Sequence, residues 1–308
     1  MYLHEDSDLL RELVAATTAA LGISQDYVYK DYFICAALKG IAALYPEMTF
    51  KGGTALSKCY GAIARFSEDV DLGLDATHPS EGMRKKTKTA IRSAISALGL
   101  IIENIGDTKS RREFNQYIVM LPPLIDSVAA SRLLIEVSLM SATTPSQTGE
   151  LISFIGQYLK DLGRSDLLSR YDLDNFSIKV VSLERAFVDK SFAVADYYLN
   201  RSVSQRQSRH IYDLYKLAAL ISFDDTLATL FSQARSERQS NSHCLSAAPD
   251  VSLADTLRKL HVQEAYRYDY EQITTPLLYE NIDYCTAATV LPEIANFLDG
   301  QFGRTLAS

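Results

Sequence analysis

The chain has 308 residues, 47% of them hydrophobic and 22% charged, and its formal net charge is −7. This balance is that of a folded protein with one large or two ordinary domains, which excludes a wholly disordered chain. The negative charge disfavours polyanion binding over the whole surface, and no apolar run reaches the roughly 18–20 residues that span a bilayer, so no membrane partner is expected.

The N-terminal part favours helices. Apolar residues at helical spacing predict a helix over 5–21, with Ser7 or Asp8 as its cap. A second helix is predicted over 27–44 and ends before Pro46. The acidic, amphipathic first residues do not have the pattern of a secretory signal.

A strand and a glycine pair follow. Residues Met48–Lys51 predict a short strand that runs into Gly52 and Gly53, and Thr54 is expected to cap a helix from Ala55 to about Ile63. Alternation over 69–74 then predicts a strand with two different faces. The apolar face consists of Val70, Leu72 and Leu74, and the other face of Asp69, Asp71 and Gly73.

The remaining patterns indicate the fold class. They predict a basic helix, three strands, a helix, a short strand and two more helices, in order 80–98, 100–105, 114–120, 132–139, 149–162, 177–181, 183–199 and 209–220. This order is typical of an α+β fold, with a mixed or mostly antiparallel β-sheet, flanking helices and a mostly helical C-terminal lobe. We expect the junction between 145 and 178 and divide the chain into 1–165 and 166–308.

Three carboxylates indicate a metal site. Asp69 and Asp71 stand two residues apart in a strand, so their side chains share a face and repel each other unless a cation lies between them. Glu136 interrupts an apolar strand and is the candidate third carboxylate. Mg²⁺ suits this set because it takes one or two carboxylates, water and substrate phosphates. Each acid taken alone is compatible with an ordinary surface position.

The segment before the acidic strand strengthens this interpretation. Gly52 and Gly53 let the backbone approach phosphate oxygens, and the amides of a helix start at Thr54–Leu56 would face an anion. The order of these elements is consistent with a site that binds both phosphate and metal. It consists of a strand, two glycines, a helix start and an acidic strand.

These residues resemble a known family. The strings GGTAL at 52–56 and RFSEDVDL at 65–72 are similar to motif I of the AbiEii/AbiGii toxin family, which belongs to the DNA polymerase β-like nucleotidyltransferases and includes the mycobacterial MenT toxins. Two later strings, LERAFVDK at 183–190 and RHIYDLY at 209–215, resemble the lysine and aspartate motifs of that family.

The resemblance implies roles for individual residues. Lys190 would contact nucleotide phosphate, and Asp213 would supply the second acidic function. Lys216 departs from the pattern, because the family often has another aspartate there. Ser67 would lie beside the nucleotide, and in some family members the antitoxin phosphorylates a serine at this position.

The resemblance also implies an activity. The fold would be nucleotidyltransferase-like, and the protein would be a toxin that transfers NMP from an NTP to an RNA acceptor. The favoured acceptor is the 3′ end of tRNA, with Mg²⁺ (or Mn²⁺) as cofactor and a cognate antitoxin encoded nearby. Two alternatives stay open: NMP transfer to a protein side chain, and a non-catalytic nucleotide-binding module.

Basic segments and cysteines complete the sequence evidence. The segments 84–88, 109–112 and 201–209 are locally basic, and the first two are candidates for RNA backbone contact. The four cysteines contain no CxxC pair, which disfavours a zinc site or a disulfide framework and favours a reducing cytoplasm.

Overall fold

The computed structural model describes residues 1–67, 69–76, 79–109, 113–125, 127, 129–139, 142–200 and 206–305. The chain forms two compact units, each made of several segments. The first consists of Met1–Tyr60, Ser67–Leu139 and Ser146–Val180, and the second of Gly61–Phe66, Met140–Pro145 and Val181–Ser308. The motif string 51–71 is therefore divided between the units, because 61–66 belongs to the second.

The first unit contains a seven-stranded mixed sheet. Its strands are β1 (Met48–Lys51), β2 (Asp69–Leu74), β3 (Ile101–Ile102), β4 (Phe114–Met120), β5 (Arg132–Ser138), β6 (Ser146–Leu151) and β7 (Phe176–Val181). The strand order is β3-β4-β5-β2-β1-β7-β6. Strand β2 pairs antiparallel with β1 and parallel with β5, which places the acidic strand in the middle of the sheet.

Six α-helices belong to the described part of the first unit. They are α1 (Ser7–Leu21), α2 (Gln25–Leu44), α3 (Gly52–Lys58), α4 (Glu81–Ala97), α5 (Phe154–Asp161) and α6 (Ser165–Tyr171). Buried apolar side chains of α2 and α4 form one core with the inward side chains of β2 and β5. Val70, Leu72 and Leu74 lie in this core, so Asp69 and Asp71 project from the opposite face of the sheet.

The described part of the second unit is largely helical. It contains α7 (Leu183–Leu199), α8 (Arg209–Ala218), α9 (Asp225–Arg238), α10 (Leu253–Val262), α11 (Arg267–Asp269), α12 (Tyr284–Ala288) and α13 (Val290–Thr305). Helix α7 contacts α8, α9 and α10, and α10 also packs against α13. Ser182 caps α7, since its side chain accepts a hydrogen bond from the backbone N–H of Arg185.

The structure confirms the predicted α+β class and most of the predicted elements. Strands 69–74 and 114–120 and helix 183–199 have the predicted bounds. The predicted helix over 149–162 is wrong at its start, because β6 extends to Leu151 and α5 begins at Phe154. The cap of α1 is Asp6, whose side chain accepts from the N–H of Leu9, and is neither Ser7 nor Asp8.

None of the described helices is both long and apolar enough to cross a membrane. The predicted boundary between two domains at residue 165 stays a prediction.

Candidate functional site

A row of polar side chains crosses the first unit's sheet. Asp71 is the register partner of Glu136 on β5 and of Lys51 on β1, and Glu136 is in turn the partner of Gln116 on β4. Because directly paired residues project to the same face, these four side chains lie side by side. Asp69 stands two residues before Asp71 and shares that face. The sheet therefore places the three predicted metal-binding carboxylates on one face, with Asp71 and Glu136 as direct neighbours.

One end of this row is held by an amide. Gln116 donates a hydrogen bond from Nε2 to Oε1 of Glu136, at 2.8 Å. This contact orients the Glu136 carboxylate without neutralising its charge, and the second carboxylate oxygen can accept further bonds.

The turn from β1 into α3 is shaped around Asp71. Gly52 has a φ of +77°, in the left-handed region that favours glycine. A Cβ atom at this position would lie 1.9 Å from Oδ2 of Asp71 and 2.6 Å from its Cγ. The Asp71 carboxylate therefore rests against the Cα of Gly52, and a side chain there would have to displace it.

We expect Gly52→Ala to reduce any metal-dependent activity by about 10²-fold, the effect of moving a reacting group by about 1 Å. Gly99→Ala is the matched control, since Gly99 also has a positive φ, +67°, and a Cβ atom added there would have no neighbouring atom within 4 Å. Both variants should lose about 1–2 kcal/mol of stability through the left-handed backbone, and Gly52→Ala should lose more because its Cβ must displace Asp71. Equal activities of the two variants would show that the position of Asp71 does not matter.

Thr54 and Ser67 connect α3 to the start of the acidic strand. The Thr54 hydroxyl donates to the backbone carbonyl of Asp69 at 2.6 Å, and its Oγ1 lies 3.0 Å from Oγ of Ser67. The predicted capping role of Thr54 is wrong, because the helix already begins at Gly52 and Thr54 lies in its first turn. Its hydroxyl instead fixes the backbone that carries Asp69.

A buried ion pair anchors the other end of α3. Lys58 Nζ lies 2.5 Å from Oδ1 of Asp31 on α2, and both side chains are less than one-tenth exposed. The second Asp31 oxygen accepts from the backbone N–H of Phe154 at 2.6 Å, and Lys58 also lies over the Phe154 ring. Burial alone would lower the pKa of Lys58, but the facing Asp31 carboxylate raises it. The pair therefore ties together α2, α3 and the start of α5.

The second unit contains a charged cluster centred on Asp213. The fully buried Asp213 carboxylate accepts from Nε of Arg65 at 2.6 Å and from its Nη2 at 2.7 Å, in a two-pronged pair. Lys190 Nζ donates to Oδ2 of the same carboxylate at 2.6 Å. The structure thus joins the two downstream residues of the predicted site, Lys190 and Asp213, and adds Arg65.

The electrostatics of this cluster follow from burial and from two cations sharing one anion. Burial would raise the pKa of Asp213, but Arg65 and Lys190 hold it well below its usual range. Burial lowers the pKa of Lys190, and the Arg65 charge adds to this effect while Asp213 opposes it. Burial and Lys190 also hold the pKa of His210 well below 6.5, which leaves the ring neutral at neutral pH. Its Nδ1 lies 3.4 Å from Lys190 Nζ, and the ring stacks on Tyr197.

Helix α8 also fixes the segment that carries Arg65. The Tyr212 hydroxyl accepts from the N–H of Ala64 at 2.9 Å and donates to Glu280. Lys216, which departs from the family pattern, pairs with Glu280 at 2.9 Å. The segment is further held by backbone hydrogen bonds to 277–279. Residues 61–66 are therefore built into the second unit.

The rest of the lysine motif on α7 is structural. Arg185, only 1% exposed, donates to Asp189 at 2.9 Å, to Glu237 at 2.7 Å and to the carbonyl of Thr144 at 3.0 Å. This network holds α7 against α9, which fixes the helix that presents Lys190.

The donor set of the first unit fits a hard divalent cation. Carboxylate oxygens are the ligands that Mg²⁺ prefers. Among the described residues, no group of three or more His, Cys, Asp or Glu side chains is arranged to hold a metal by itself. Ligands from substrate phosphate and water would therefore complete the coordination, as is usual for Mg²⁺.

The predicted basic segments are only partly described. Residues 110–112 and 201–205 lie outside the described residues. On α4, Lys85 pairs with Glu81 at 3.0 Å, and Lys88 donates to the carbonyl of Thr108. The ammonium groups of Lys85 and Lys88 thus already have partners within the first unit.

Three residues of the site received no role from the sequence. Arg65 and Lys51 both lie inside the motif string. The partner of Arg65, Asp213, is distant in sequence, and the register partner of Lys51, Asp71, lies on another strand. Gln116 shares the outward face of β4 with apolar residues. A polar residue among apolar ones on that face is the sequence signal that could have identified it as part of the site.

The fold and the polar row define a nucleotidyltransferase-type α+β protein. The profile of the family described as "Nucleotidyl transferase AbiEii toxin, Type IV TA system" matches residues 36–299, and the chain belongs to this family. The protein is therefore a nucleotidyltransferase toxin of a type IV toxin–antitoxin system, a class that typically uses a divalent metal and that implies an NTP substrate and an antitoxin partner.

A solved structure has a similar fold. MenT4, a nucleotidyltransferase toxin from Mycobacterium tuberculosis H37Rv, is 18% identical with a TM-score of 0.59, and the match covers 94% of this chain and 89% of MenT4. No curated protein matches the chain.

Proposed function

We propose that the protein transfers a nucleoside monophosphate from an NTP to the 3′-hydroxyl of an RNA in the cytoplasm, with the 3′ end of tRNA as the favoured acceptor. Such a modification would block translation. The observation that carries the proposal is the pairing of Asp71 with Glu136 in the middle of the sheet, with Asp69 on the same face. In the reaction, the acceptor oxygen bonds to the α-phosphorus, pyrophosphate leaves, and the hydroxyl proton passes to solvent.

The first unit would bind metal and nucleotide. When bound, Mg²⁺, or Mn²⁺ in its place, would supply charge stabilisation to the transferred phosphoryl group. Asp69 and Asp71, with Glu136, would hold this ion. Gly52 and Gly53 would let the backbone approach the nucleotide phosphates.

Thr54 and Ser67 would also belong to the nucleotide-binding site. Their support is geometric, because the Thr54 hydroxyl contacts the backbone carbonyl of Asp69 and lies 3.0 Å from the Ser67 hydroxyl. Their predicted roles rest on this position and on the family pattern.

Lys190 is the proposed phosphate contact in the second unit, as the family pattern implies. Arg65 and Lys190 are buried cations that both contact the Asp213 carboxylate. An ammonium held in a buried position interacts strongly with a phosphate group, because little water screens the two charges. Asp213 would hold Lys190 in place for this contact.

The test uses each NTP labelled at the α-phosphate, with Mg²⁺ and total RNA. We expect label in a tRNA-sized band, no label from γ-labelled NTP, and no label when the RNA 3′ ends are oxidised with periodate. Asp69→Ala should abolish incorporation. Label that appears on protein and survives RNase would instead support the protein-acceptor alternative and overturn the RNA proposal.

Ser67 is a predicted control point. A phosphate there would add about two negative charges beside Asp69 and oppose nucleotide binding. After co-expression with the neighbouring antitoxin gene, we expect a mass gain of about 80 Da that Ser67→Ala removes. An unchanged intact mass would argue that the antitoxin works in another way.

A further inference from the structure

Lys51 occupies a position in the polar row that no role above uses. It is the last residue of β1 and the register partner of Asp71. Its neighbour Phe50 is fully buried in the core against Leu72, so Lys51 projects to the opposite, acidic face. Directly opposed Cβ atoms on paired strands are about 4.5–5.5 Å apart, which places the Lys51 side chain beside the Asp71 carboxylate.

The charges of the row make this position significant. Asp69, Asp71 and Glu136 carry three negative charges on one face, and a single divalent ion does not balance them. A triphosphate brought to this face adds further negative charge, which needs a cation where the phosphates lie.

The two ends of the row differ in their chemistry. At the far end, the Gln116 amide donates to Glu136 and brings no charge. At the near end, Lys51 is half-buried and brings a positive charge to the acidic face, directly before the turn at Gly52. The phosphates of a nucleotide are therefore best accommodated at the Lys51 end.

We propose that Lys51 is a nucleotide-binding residue whose ammonium contacts the triphosphate of the NTP held at the Asp69–Asp71 face. The inference rests on the proposed function, because it assumes that this face binds an NTP. It differs from a purely structural ion pair with Asp71, in which Lys51 would only reduce repulsion among the carboxylates.

The two roles predict opposite results when the charge is removed. If Lys51 binds phosphate, Lys51→Met weakens NTP binding and leaves the binding of a nucleoside nearly unchanged. If Lys51 is only a counterion of Asp71, its removal strengthens divalent-ion binding to the carboxylates and leaves NTP affinity unchanged or higher.

The experiment measures the Kd of the full chain for NTP and for the matching nucleoside by calorimetry in Mg²⁺, and the Kd for Mn²⁺ without nucleotide. For Lys51→Met and Lys51→Gln we expect the NTP Kd to rise about 10- to 100-fold, the usual range for a lost charge-assisted bond. Nucleoside binding should change by less than about threefold, and Lys51→Arg should restore most of the NTP affinity.

Lys160→Met is the matched control, because Lys160 is an exposed lysine on α5 of the same unit to which no binding role is assigned. It should bind NTP like the wild type. An unchanged NTP Kd in both neutral Lys51 variants overturns the assignment while leaving the proposed function intact. A wild-type protein that binds no NTP overturns the proposed function and the assignment together.

Discussion

Asp71→Asn is expected to reduce NMP transfer by about 10³-fold, which corresponds to about 4 kcal/mol of lost transition-state stabilisation. The substitution keeps the shape of the side chain that rests against Gly52 and removes only the charge. Because Asp71 lies beside Glu136 in register, the change also relieves repulsion between carboxylates. The loss of attraction to Lys51 offsets this gain, so the melting temperature should change little while the activity is lost.

The measurement combines single-turnover transfer rates with thermal unfolding and with growth of cells that express each variant. Asp75→Asn is the matched control, since Asp75 follows the same strand but pairs with Lys179 at 3.4 Å on a partly exposed surface. It should retain toxicity and transfer. If Asp71→Asn keeps more than about a tenth of the wild-type rate, a metal-binding role for Asp71 is excluded.

Local patterns were sufficient to predict the central part of the fold. The alternation in β2 assigned Val70 and Leu72 to the core and the two aspartates to the other face, and the structure confirms this arrangement. Alternation is a property of neighbouring residues, so it is visible in the sequence whenever one face of a strand is buried. The acidic face could therefore be predicted without knowledge of the other strands.

Long-range pairing explains what the sequence did not predict. Strand β6 has a polar sequence, SQTGEL, and owes its conformation to its place at the edge of the sheet. The sequence around Thr54 is typical of a helix cap, but its hydroxyl donates a hydrogen bond to the carbonyl of Asp69, 15 residues away. Local signals do not reveal such a competing partner.

The charged cluster of the second unit shows the same limit. Arg65 and Asp213 are 148 residues apart, and nothing near Arg65 in the sequence indicates a buried anion as its partner. The family pattern supplied Lys190 and Asp213 as separate residues, and only the structure shows that they share one ion-pair network. The catalytic roles of these residues stay predictions.

Asp213→Asn is expected to destabilise the protein by about 3–5 kcal/mol and to lower its melting temperature by about 10 °C. The variant leaves Arg65 and Lys190 buried, at 2% and 6% exposure, without the carboxylate that both contact. Two buried cations then repel each other without compensation. Urea unfolding at pH 7 measures the loss.

The pH dependence gives an independent check of the same contact. The pKa of Asp213 is lowered in the folded state by Arg65 and Lys190, against the effect of burial. Because the pKa of Asp213 is lower in the folded than in the unfolded state, its ionised carboxylate stabilises the folded protein fully above the unfolded pKa of about 4. This stabilisation is lost as the pH falls from there through the folded-state pKa. The stability gap between wild type and Asp213→Asn should therefore be constant near neutral pH and shrink below about pH 4.

Asp299→Asn is the matched control in the same unit, because Asp299 pairs with Arg258 on an exposed surface. It should cost less than about 1 kcal/mol. An Asp213→Asn variant as stable as this control would show that the buried carboxylate is not needed to hold the two cations. If that variant were also inactive, Asp213 would act on the substrate and not through Lys190, whereas a joint loss of stability and activity supports its positioning role.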